Sequence, residues 1–227
     1  MEIGKVIVIL MMILSAGCKG QHEELSIPEK EAFLVGMFNF SSGTNWVKEH
    51  PVLKNRVNFL FPGKEKLIEV VLDTLASYEK QSGLNFIIKK EDFVEIYREE
   101  GEENPFLRFF EEERSADMFY YDETLDKDFE IVVLKLKPEA FKTQNEKLYF
   151  LLGAFINCGR TTENDYSYTY PDENYMEVIS GLLEQTGSTI VVKEKKREAM
   201  PGYDKVIFKP SKNLKTLLIL YKELTNN

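Results

Sequence analysis

One short pattern occurs twice in this chain of 227 residues, namely Phe-Leu-x-Gly-x-Phe at 33–38 and again at 150–155. A serine or threonine followed three residues later by glutamate precedes both copies, which is typical of a helix start. Each copy therefore predicts an amphipathic helix of about 13 residues. Glycine inside a helix costs about 0.5–1 kcal/mol relative to alanine. We interpret Gly36 and Gly153 as the points where the two helices approach each other closely.

Further segments recur in the same order in both halves: a strand closed by proline, a helix ending in Gln-x-Gly, a β-branched strand, and a strand ending in Lys-Pro. The matched pairs are 57–63 with 166–172, 68–83 with 176–187, 84–90 with 188–194, and 133–143 with 205–216. The sequence therefore predicts an α+β fold of two pseudo-symmetric α-β-α-β-β repeats packed as one compact unit. The first repeat spans 27–143 and the second 144–227, with a last helix at 212–224. A single α+β domain with coincidental similarity is the alternative.

The acidity of the chain is concentrated in one stretch. The net charge is −9, but residues 91–130 alone carry −12, so the remainder of the chain is slightly basic. This stretch lies in the first repeat. The corresponding part of the second repeat is a short basic hairpin around 193–197. We interpret 91–130 as an acidic insertion in the first repeat, and we expect function to reside where the two halves differ.

The insertion is also rich in aromatic residues. Residues 105–114, PFLRFFEEER, predict a short helix with three phenylalanines on one face. One interpretation is a solvated acidic face with the aromatic rings folded inward, since charge runs are usually solvent-facing. The other is an acidic, aromatic surface that receives a basic protein, because complementary fields steer such encounters and aromatic residues anchor them. The candidate partner-binding residues are Phe106, Phe109, Phe110, Glu111, Glu112 and Glu113.

The N-terminus carries Lys5, then the apolar run VIVILMMIL at 6–14, then LSAGC at 14–18. The run is too short to span a bilayer, which needs about 20 residues, and it is typical of a secretory signal. The LSAGC segment resembles the lipobox of bacterial lipoproteins, although Ser15 stands where leucine is commonest. The resemblance implies removal of 1–17 as a signal peptide and lipidation of Cys18. Ordinary signal cleavage with an incidental cysteine is the alternative.

A lipidated Cys18 would anchor the protein to a membrane of the bacterial cell envelope, at the outer membrane, the periplasmic face or the cell surface. Residues 18–26 would then form a polar tether. Cys158 would be left without a partner for a disulfide, and it is expected to be a core or helix-end residue rather than a nucleophile.

Metal and cofactor sites are not predicted. The mature domain would hold one cysteine and one histidine, which cannot close a zinc site, and His50 is expected in an exposed loop. The acidic segment 122–130 lacks the glycine of a calcium-binding EF-hand loop and is expected to be a turn. Phosphate-binding glycine motifs do not occur in the sequence.

We therefore predict a membrane-anchored, non-catalytic lipoprotein that binds a cationic protein in an immunity- or inhibitor-like role. Charge and compartment argue against a nucleic-acid partner. Two alternatives stay open. One is a glycan- or ligand-binding surface lipoprotein that uses Tyr166, Tyr168 and Tyr170, although strand alternation favours the core for these rings. The other is a carboxylate-dependent hydrolase, for which no motif identifies an acid or a base. The sequence makes no prediction about oligomeric state.

Overall fold

Five α-helices and three antiparallel sheets occur in the part of the chain that the computed structural model describes, residues 24–38, 44–47, 49–162, 165–197 and 202–225. The helices are α1 Ile27–Met37, α2 Glu65–Ser82, α3 Gln144–Cys158, α4 Glu173–Gln185 and α5 Lys212–Thr225. The strands are β1 Thr44–Trp46, β2 Arg56–Leu60, β3 Ile87–Lys90, β4 Val94–Tyr97, β5 Phe110–Asp122, β6 Lys127–Leu136, β7 Gly159–Thr161, β8 Tyr166–Tyr170, β9 Thr189–Lys196 and β10 Tyr203–Lys209. The predicted α+β class is confirmed.

The three sheets differ in size and in origin along the chain. The first sheet has the order β2-β4-β3, the second β7-β8-β10-β9, and the third β1-β6-β5. In the first sheet, β4 lies between β2 and β3, which precede it in the chain. In the second sheet, β10 likewise lies between β8 and β9. Strands β4 and β10 therefore occupy corresponding positions. The third sheet consists of the long β5–β6 hairpin together with β1.

Both helices that carry the repeated pattern are capped at their N-termini by side-chain hydrogen bonds. The Glu29 carboxylate accepts from Ser26 N and Ser26 Oγ, each at 2.8 Å, at the start of α1. At the start of α3, Glu146 N donates to Thr143 Oγ1 at 3.1 Å. These bonds satisfy donors that the first helical turn leaves free, and they confirm the predicted helix starts. The helices have 11 and 15 residues instead of about 13 each.

Helices α1 and α3 pack against each other through their backbones. A Cβ atom built on Gly36 would lie 2.3 Å from Phe150 O, and one built on Gly153 would lie 2.2 Å from Phe33 O. Real side chains do not tolerate such distances, so only glycine permits this packing at either position. The predicted role of the two glycines in a close helix–helix approach is confirmed.

The element order differs from the predicted one. Each half begins with the order α-β-β-α-β-β, because a short strand, β1 or β7, follows the first helix; the first half then continues with β5 and β6, and the second with α5. By position in the sheet, the strand equivalent to β10 is β4 and not β6, the strand that ends in Lys-Pro. Strand β4 lies inside the predicted insertion. The pairing of 133–143 with 205–216 is therefore wrong as an assignment of equivalent strands. Strand β6 joins the third sheet instead.

No helix within the described ranges is both long enough and apolar enough to span a membrane. The predicted signal segment 1–17, Cys18 and the tether residues before Glu24 lie outside those ranges.

Candidate functional site

The three phenylalanines predicted to anchor a partner lie in the hydrophobic core. Phe106, Phe109 and Phe110 are 2%, 0% and 8% exposed. Phe106 and Phe109 belong to a 3₁₀ turn, Pro105–Phe109, and Phe110 is the first residue of β5, so the three do not lie on an amphipathic α-helix. Side chains without exposed surface cannot contact a partner, so the predicted anchoring role is wrong.

The glutamates that follow them are on the surface. Glu111, Glu112 and Glu113 begin β5 and are exposed. Glu113 forms an ion pair of 2.8 Å with Lys135 on the neighbouring strand β6. The structure therefore places these three glutamates in solvent and the three predicted anchor phenylalanines in the core, so they do not form one surface.

The tip of the β5–β6 hairpin is held against the body of the protein by His50. Its Nε2 atom lies 2.8 Å from Asp122 Oδ2, and its Nδ1 atom accepts from the backbone N–H groups of Val52 and Leu53. Hydrogen bonds from the Thr124 hydroxyl and from His50 hold the pKa of the Asp122 carboxyl well below its usual range. His50 is 4% exposed, so its expected placement in an exposed loop is wrong.

The segment 122–130 forms a turn at 123–126 followed by β6, as predicted. Asp126 has a φ of 47°, a left-handed conformation that aspartate tolerates better than most residues. Within the described ranges, no group of three or more His, Cys, Asp or Glu side chains is placed to hold a metal ion.

Cys158 is the last residue of α3 and packs against the core, although the residue is partly exposed. Its thiol donates to Ala154 O at 3.2 Å. Burial raises the pKa of the Cys158 thiol to about 12. The thiolate is the reactive form, so this environment disfavours nucleophilic chemistry.

We therefore expect Cys158 in the native protein to resist alkylation at pH 8. Iodoacetamide should modify it at least about tenfold more slowly than it modifies the unfolded chain, whose thiol has a pKa near 8.5. Timed quenching and peptide mass spectrometry, with and without urea, measure the two rates. Equal rates would show that the thiol is accessible and ionisable in the folded state.

Two of the three tyrosine rings on β8 that were considered for sugar binding are buried in the core. Tyr168 and Tyr170 are 0% and 6% exposed, and Tyr166 is partly buried. Tyr168 stacks on Phe208 at 5.1 Å and donates from its hydroxyl to Leu151 O at 2.8 Å. These contacts confirm that the strand face belongs to the core and remove the stacking platform from the glycan interpretation.

The opposite side of the second sheet presents basic side chains. In antiparallel pairs, directly opposite residues share a face, and the buried residues Asp204, Val206 and Phe208 identify the inner face of β10. The other side is called the outer face here. It comprises Arg160, Ser167, Thr169, Thr189, Val192, Glu194, Lys196, Tyr203, Lys205, Ile207 and Lys209.

Four cations stand on the outer face: Arg160, Lys196, Lys205 and Lys209. Three are exposed and Lys205 is partly exposed. None of the four forms an ion pair with a carboxylate of the described residues. Glu194 is the single carboxylate among the outer-face residues, so this face is a net positive surface.

The cations on the inner side of the same sheet edge are neutralised. Lys193 lies 3.7 Å from Glu184, Lys195 pairs with Glu173, and Arg197 pairs with Glu173 at 3.2 Å. The run KEKKR thus contains three paired inner cations and one unpaired outer cation, Lys196. The sequence prediction missed this division, although period-two alternation in 193–197 and the four-residue spacing of Lys205 and Lys209 were signals for it.

No family model matches the chain, and no curated protein matches it. Similar solved structures exist. Full-length DUF199/WhiA from Thermatoga maritima has a TM-score of 0.45 at 12% identity, covering 96% of this chain and 63% of that one. The chain thus spans less than two thirds of that protein's length. I-DmoI in complex with DNA and Mn has a TM-score of 0.43 at 12% identity, covering 89% of this chain and 99% of that one. I-DmoI G20S with its target DNA has a TM-score of 0.47 at 12% identity, with 80% and 89% coverage.

These findings correct the predicted function. The proteins found are WhiA and a homing endonuclease seen with DNA, and the aromatic anchors of the predicted interface are buried. The predicted function, binding of a cationic protein through these residues, is contradicted. The exclusion of a nucleic-acid partner is contradicted as well.

Proposed function

We propose that this protein binds nucleic acid through the outer face of the second sheet. The observation that carries the proposal is the set of four cations, Arg160, Lys196, Lys205 and Lys209, that have no carboxylate partner among the described residues. Lysine and arginine on one face form the electrostatic footprint of phosphate-backbone binding.

The spacing of the cations supports a polymeric rather than a single-phosphate ligand. Lys205 and Lys209 are four residues apart on β10, which is about 14 Å at the rise of a strand. By register, Lys196 and Lys209 are about 20 Å apart along the sheet, and Arg160 lies two strands, about 10 Å, from β10. One phosphate cannot contact groups so far apart, whereas about six base-pair steps of 3.4 Å match the longer distance.

The distribution of charge along the chain indicates which side of the protein a polyanion would approach. Residues 91–130 carry −12, whereas residues 144–227 carry equal numbers of acidic and basic side chains. A polyanion is repelled by the acidic hairpin, whereas the outer face is a net positive surface, so the protein's own field would direct the ligand to the outer face.

The first test removes two outer cations. The double variant Lys205→Gln and Lys209→Gln should bind a fluorescein-labelled 30-base-pair DNA roughly tenfold more weakly at 50 mM KCl, because two cations no longer neutralise phosphates. The slope of log Kobs against log salt should become shallower by about 0.9 for each phosphate that is no longer neutralised. Fluorescence anisotropy over a KCl series measures both quantities, with duplex and single-stranded probes in parallel.

The sheet offers a matched control. Lys193→Gln with Lys195→Gln removes the same charge from the same sheet, but from cations that already pair with Glu184 and Glu173. Its DNA affinity should stay within about twofold of the unmodified protein's. Equal losses in both double variants, or no salt-sensitive binding by the unmodified protein, would refute the proposal.

We also propose that the two halves are pseudo-symmetric repeats related by an approximate twofold axis between α1 and α3. The glycine contacts support this because they are reciprocal. Each Cβ would meet the carbonyl three residues before the partner glycine and the N–H one residue after it, Ala154 N for Gly36 and Met37 N for Gly153. Residue i contacting j while j contacts i is the signature of a dyad. The shared strand order of the first and second sheets supports the same axis.

The domain limits at 27–143 and 144–227, lipidation of Cys18 and a location at the cell envelope stay predictions. Mass spectrometry of the N-terminal peptide of the protein from its native cells tests the last two. A peptide that begins at Cys18 with added acyl mass would support them, and an unmodified peptide that contains residues 1–17 would contradict them.

A further inference from the structure

Three phenylalanine rings form a partly exposed group on the first sheet, on the side that faces away from the core. Phe59 is on β2 between the buried residues Asn58 and Leu60, Phe61 follows β2, and Phe93 precedes β4. The three rings are called the aromatic cluster here. Their centroids lie 5.3, 5.6 and 6.3 Å apart in the three pairs. Phe61 and Phe93 are 40% and 42% exposed. Contiguous apolar surface of this kind marks a binding site.

Cations share the face of the first sheet that carries the aromatic cluster. The Arg56 guanidinium lies 5.1 Å over the Phe59 ring, and it pairs with Glu95 at 3.4 Å. Lys89 is in the same cross-strand row as Phe59 and Glu95. Its ammonium group lies 4.7 Å over the Tyr97 ring, and it forms no ion pair with a carboxylate of the described residues. The face therefore combines aromatic rings with one positive charge that no carboxylate neutralises.

The aromatic cluster lies beside the edge of the second sheet, where the outer face begins. Strands β2 and β7 are edge strands of their sheets. Lys64 Nζ donates to Asn157 Oδ1 at 3.0 Å. Lys64 is three residues after Phe61, and Asn157 is three residues before Arg160, one of the four outer-face cations. This hydrogen bond therefore brings the aromatic end of the first sheet next to the basic edge of the second, and a polymer on the outer face can continue past Arg160 onto the rings.

The chemistry of the aromatic cluster suits unpaired nucleobases. Proteins hold single strands with aromatic rings beside a positively charged surface, because every base has a π-face that stacks on a ring. A duplex keeps its base faces inside the helix and presents its phosphates outward. Glu91 and Asp92 are exposed in the turn before Phe93 and would repel a phosphate there. The rings are thus matched to bases and not to the backbone of a duplex.

We propose that nucleic acid bound on the outer face continues onto the aromatic cluster as an unpaired strand, whose bases stack on Phe61 and Phe93. This inference rests on the proposed function and narrows its ligand to nucleic acid that carries unpaired bases. The outer-face cations neutralise phosphates, whereas the rings hold bases. Salt separates the two contributions, because neutralisation of phosphates releases counterions and stacking does not.

The test compares three fluorescein-labelled probes by anisotropy: a 30-base single strand, the duplex of the same sequence, and a strand with the same backbone but abasic sites. The unmodified protein should bind the single strand at least about tenfold more tightly than the abasic strand. The double variant Phe61→Ala and Phe93→Ala should bind the single strand at least about tenfold more weakly than the unmodified protein does. Its affinity for the duplex and the abasic strand should stay within about twofold, with an unchanged salt slope, because no cation is removed.

Two further variants control this test. Phe119→Ala with Tyr121→Ala removes two rings that are 61% and 53% exposed on the β5–β6 hairpin, and it should change none of the three affinities. Phe93→Trp keeps a ring in the aromatic cluster and should bind the single strand within about twofold of the unmodified protein. Trp46 is the only tryptophan in the chain, so the added indole fluorescence is obtained by difference. The single strand should quench it, and the abasic strand should not.

Different outcomes overturn this inference and the proposed function. Salt-sensitive binding with equal affinity for the single and abasic strands, or an unchanged single-strand affinity in the Phe61 and Phe93 double variant, would refute stacking and leave the outer face as the binding surface. Equal losses on duplex and single strand, together with an unquenched Phe93→Trp, would refute it as well. A lack of salt-sensitive binding to every probe would refute both. A dimer that the double variant converts to a monomer in sedimentation velocity, with unchanged single-strand affinity, would assign the cluster to a second copy of the chain instead.

Discussion

Replacing Gly36 or Gly153 by alanine should destabilise the protein by about 3 kcal/mol or more, the upper part of the range for overpacking. A methyl group at either position would lie 2.3 or 2.2 Å from a backbone carbonyl oxygen of the facing helix. Because backbone atoms cannot rotate away, α1 and α3 must move apart, and the core between them becomes less densely packed. The gain in helix propensity, at most about 1 kcal/mol, does not offset this. Urea unfolding followed by circular dichroism measures the free energy of unfolding.

Gly181→Ala is the matched control, since the same change is made in helix α4 where nothing lies within 4 Å. We expect it to stabilise the protein by up to about 1 kcal/mol. The double variant of Gly36 and Gly153 should cost less than the sum of the two single variants, because one separation of the helices accommodates both methyl groups. An unfolding free energy unchanged to within about 0.5 kcal/mol in either single variant would show that the helices are not in backbone contact.

The glycine contact was predictable because two constraints coincide in the sequence. The helix-start residues indicate where each helix begins, and both helices have a glycine at the same distance from that start. Because glycine destabilises an isolated helix, its presence in both indicates a close backbone contact. The major helices and the alternating strands were predictable for similar local reasons. Period-two apolar patterns at 57–61 and 166–170 give β2 and β8 close to the predicted bounds.

The strand β4 and the third sheet were not predictable from the same signals. Val94–Tyr97 is a short strand inside an acidic stretch, and its identity depends on pairing with β2 and β3 rather than on local charge. Strand β6 has the Lys-Pro ending of β10 but pairs with β1 and β5. Such partner choices are made by tertiary contacts, which a pattern within one strand does not contain.

The outer face was missed for a different physical reason. A basic run such as KEKKR appears uniform in a sequence, yet alternate residues of a strand face opposite sides of the sheet. Which cations are neutralised depends on α4, which supplies Glu173 and Glu184 to the inner side only. The register of β9 against β10 is therefore needed before paired and unpaired cations can be distinguished.

Phe109→Ala should destabilise the protein by about 3–5 kcal/mol, the usual cost of truncating a fully buried phenylalanine. The Phe109 side chain is 0% exposed, its ring lies 5.2 Å from that of Phe141, and the Arg108 guanidinium lies 4.3 Å over it. Removing the ring leaves a cavity that these neighbours can fill only in part. For a chain of this size the melting temperature should fall by roughly 6–20 °C, at about 2–4 °C per kcal/mol. Differential scanning calorimetry measures the shift.

Phe119→Ala is the matched control, because the same truncation is made at a ring that is 61% exposed on the β5–β6 hairpin. Its effect should stay within about 0.5 kcal/mol. A large loss of stability at Phe109 with none at Phe119 would mean that the aromatic residues of the acidic stretch divide into core and surface, as the burial values indicate. Equal and small effects would mean that Phe109 is not part of the core, and a partner-facing role for the phenylalanines would have to be reconsidered.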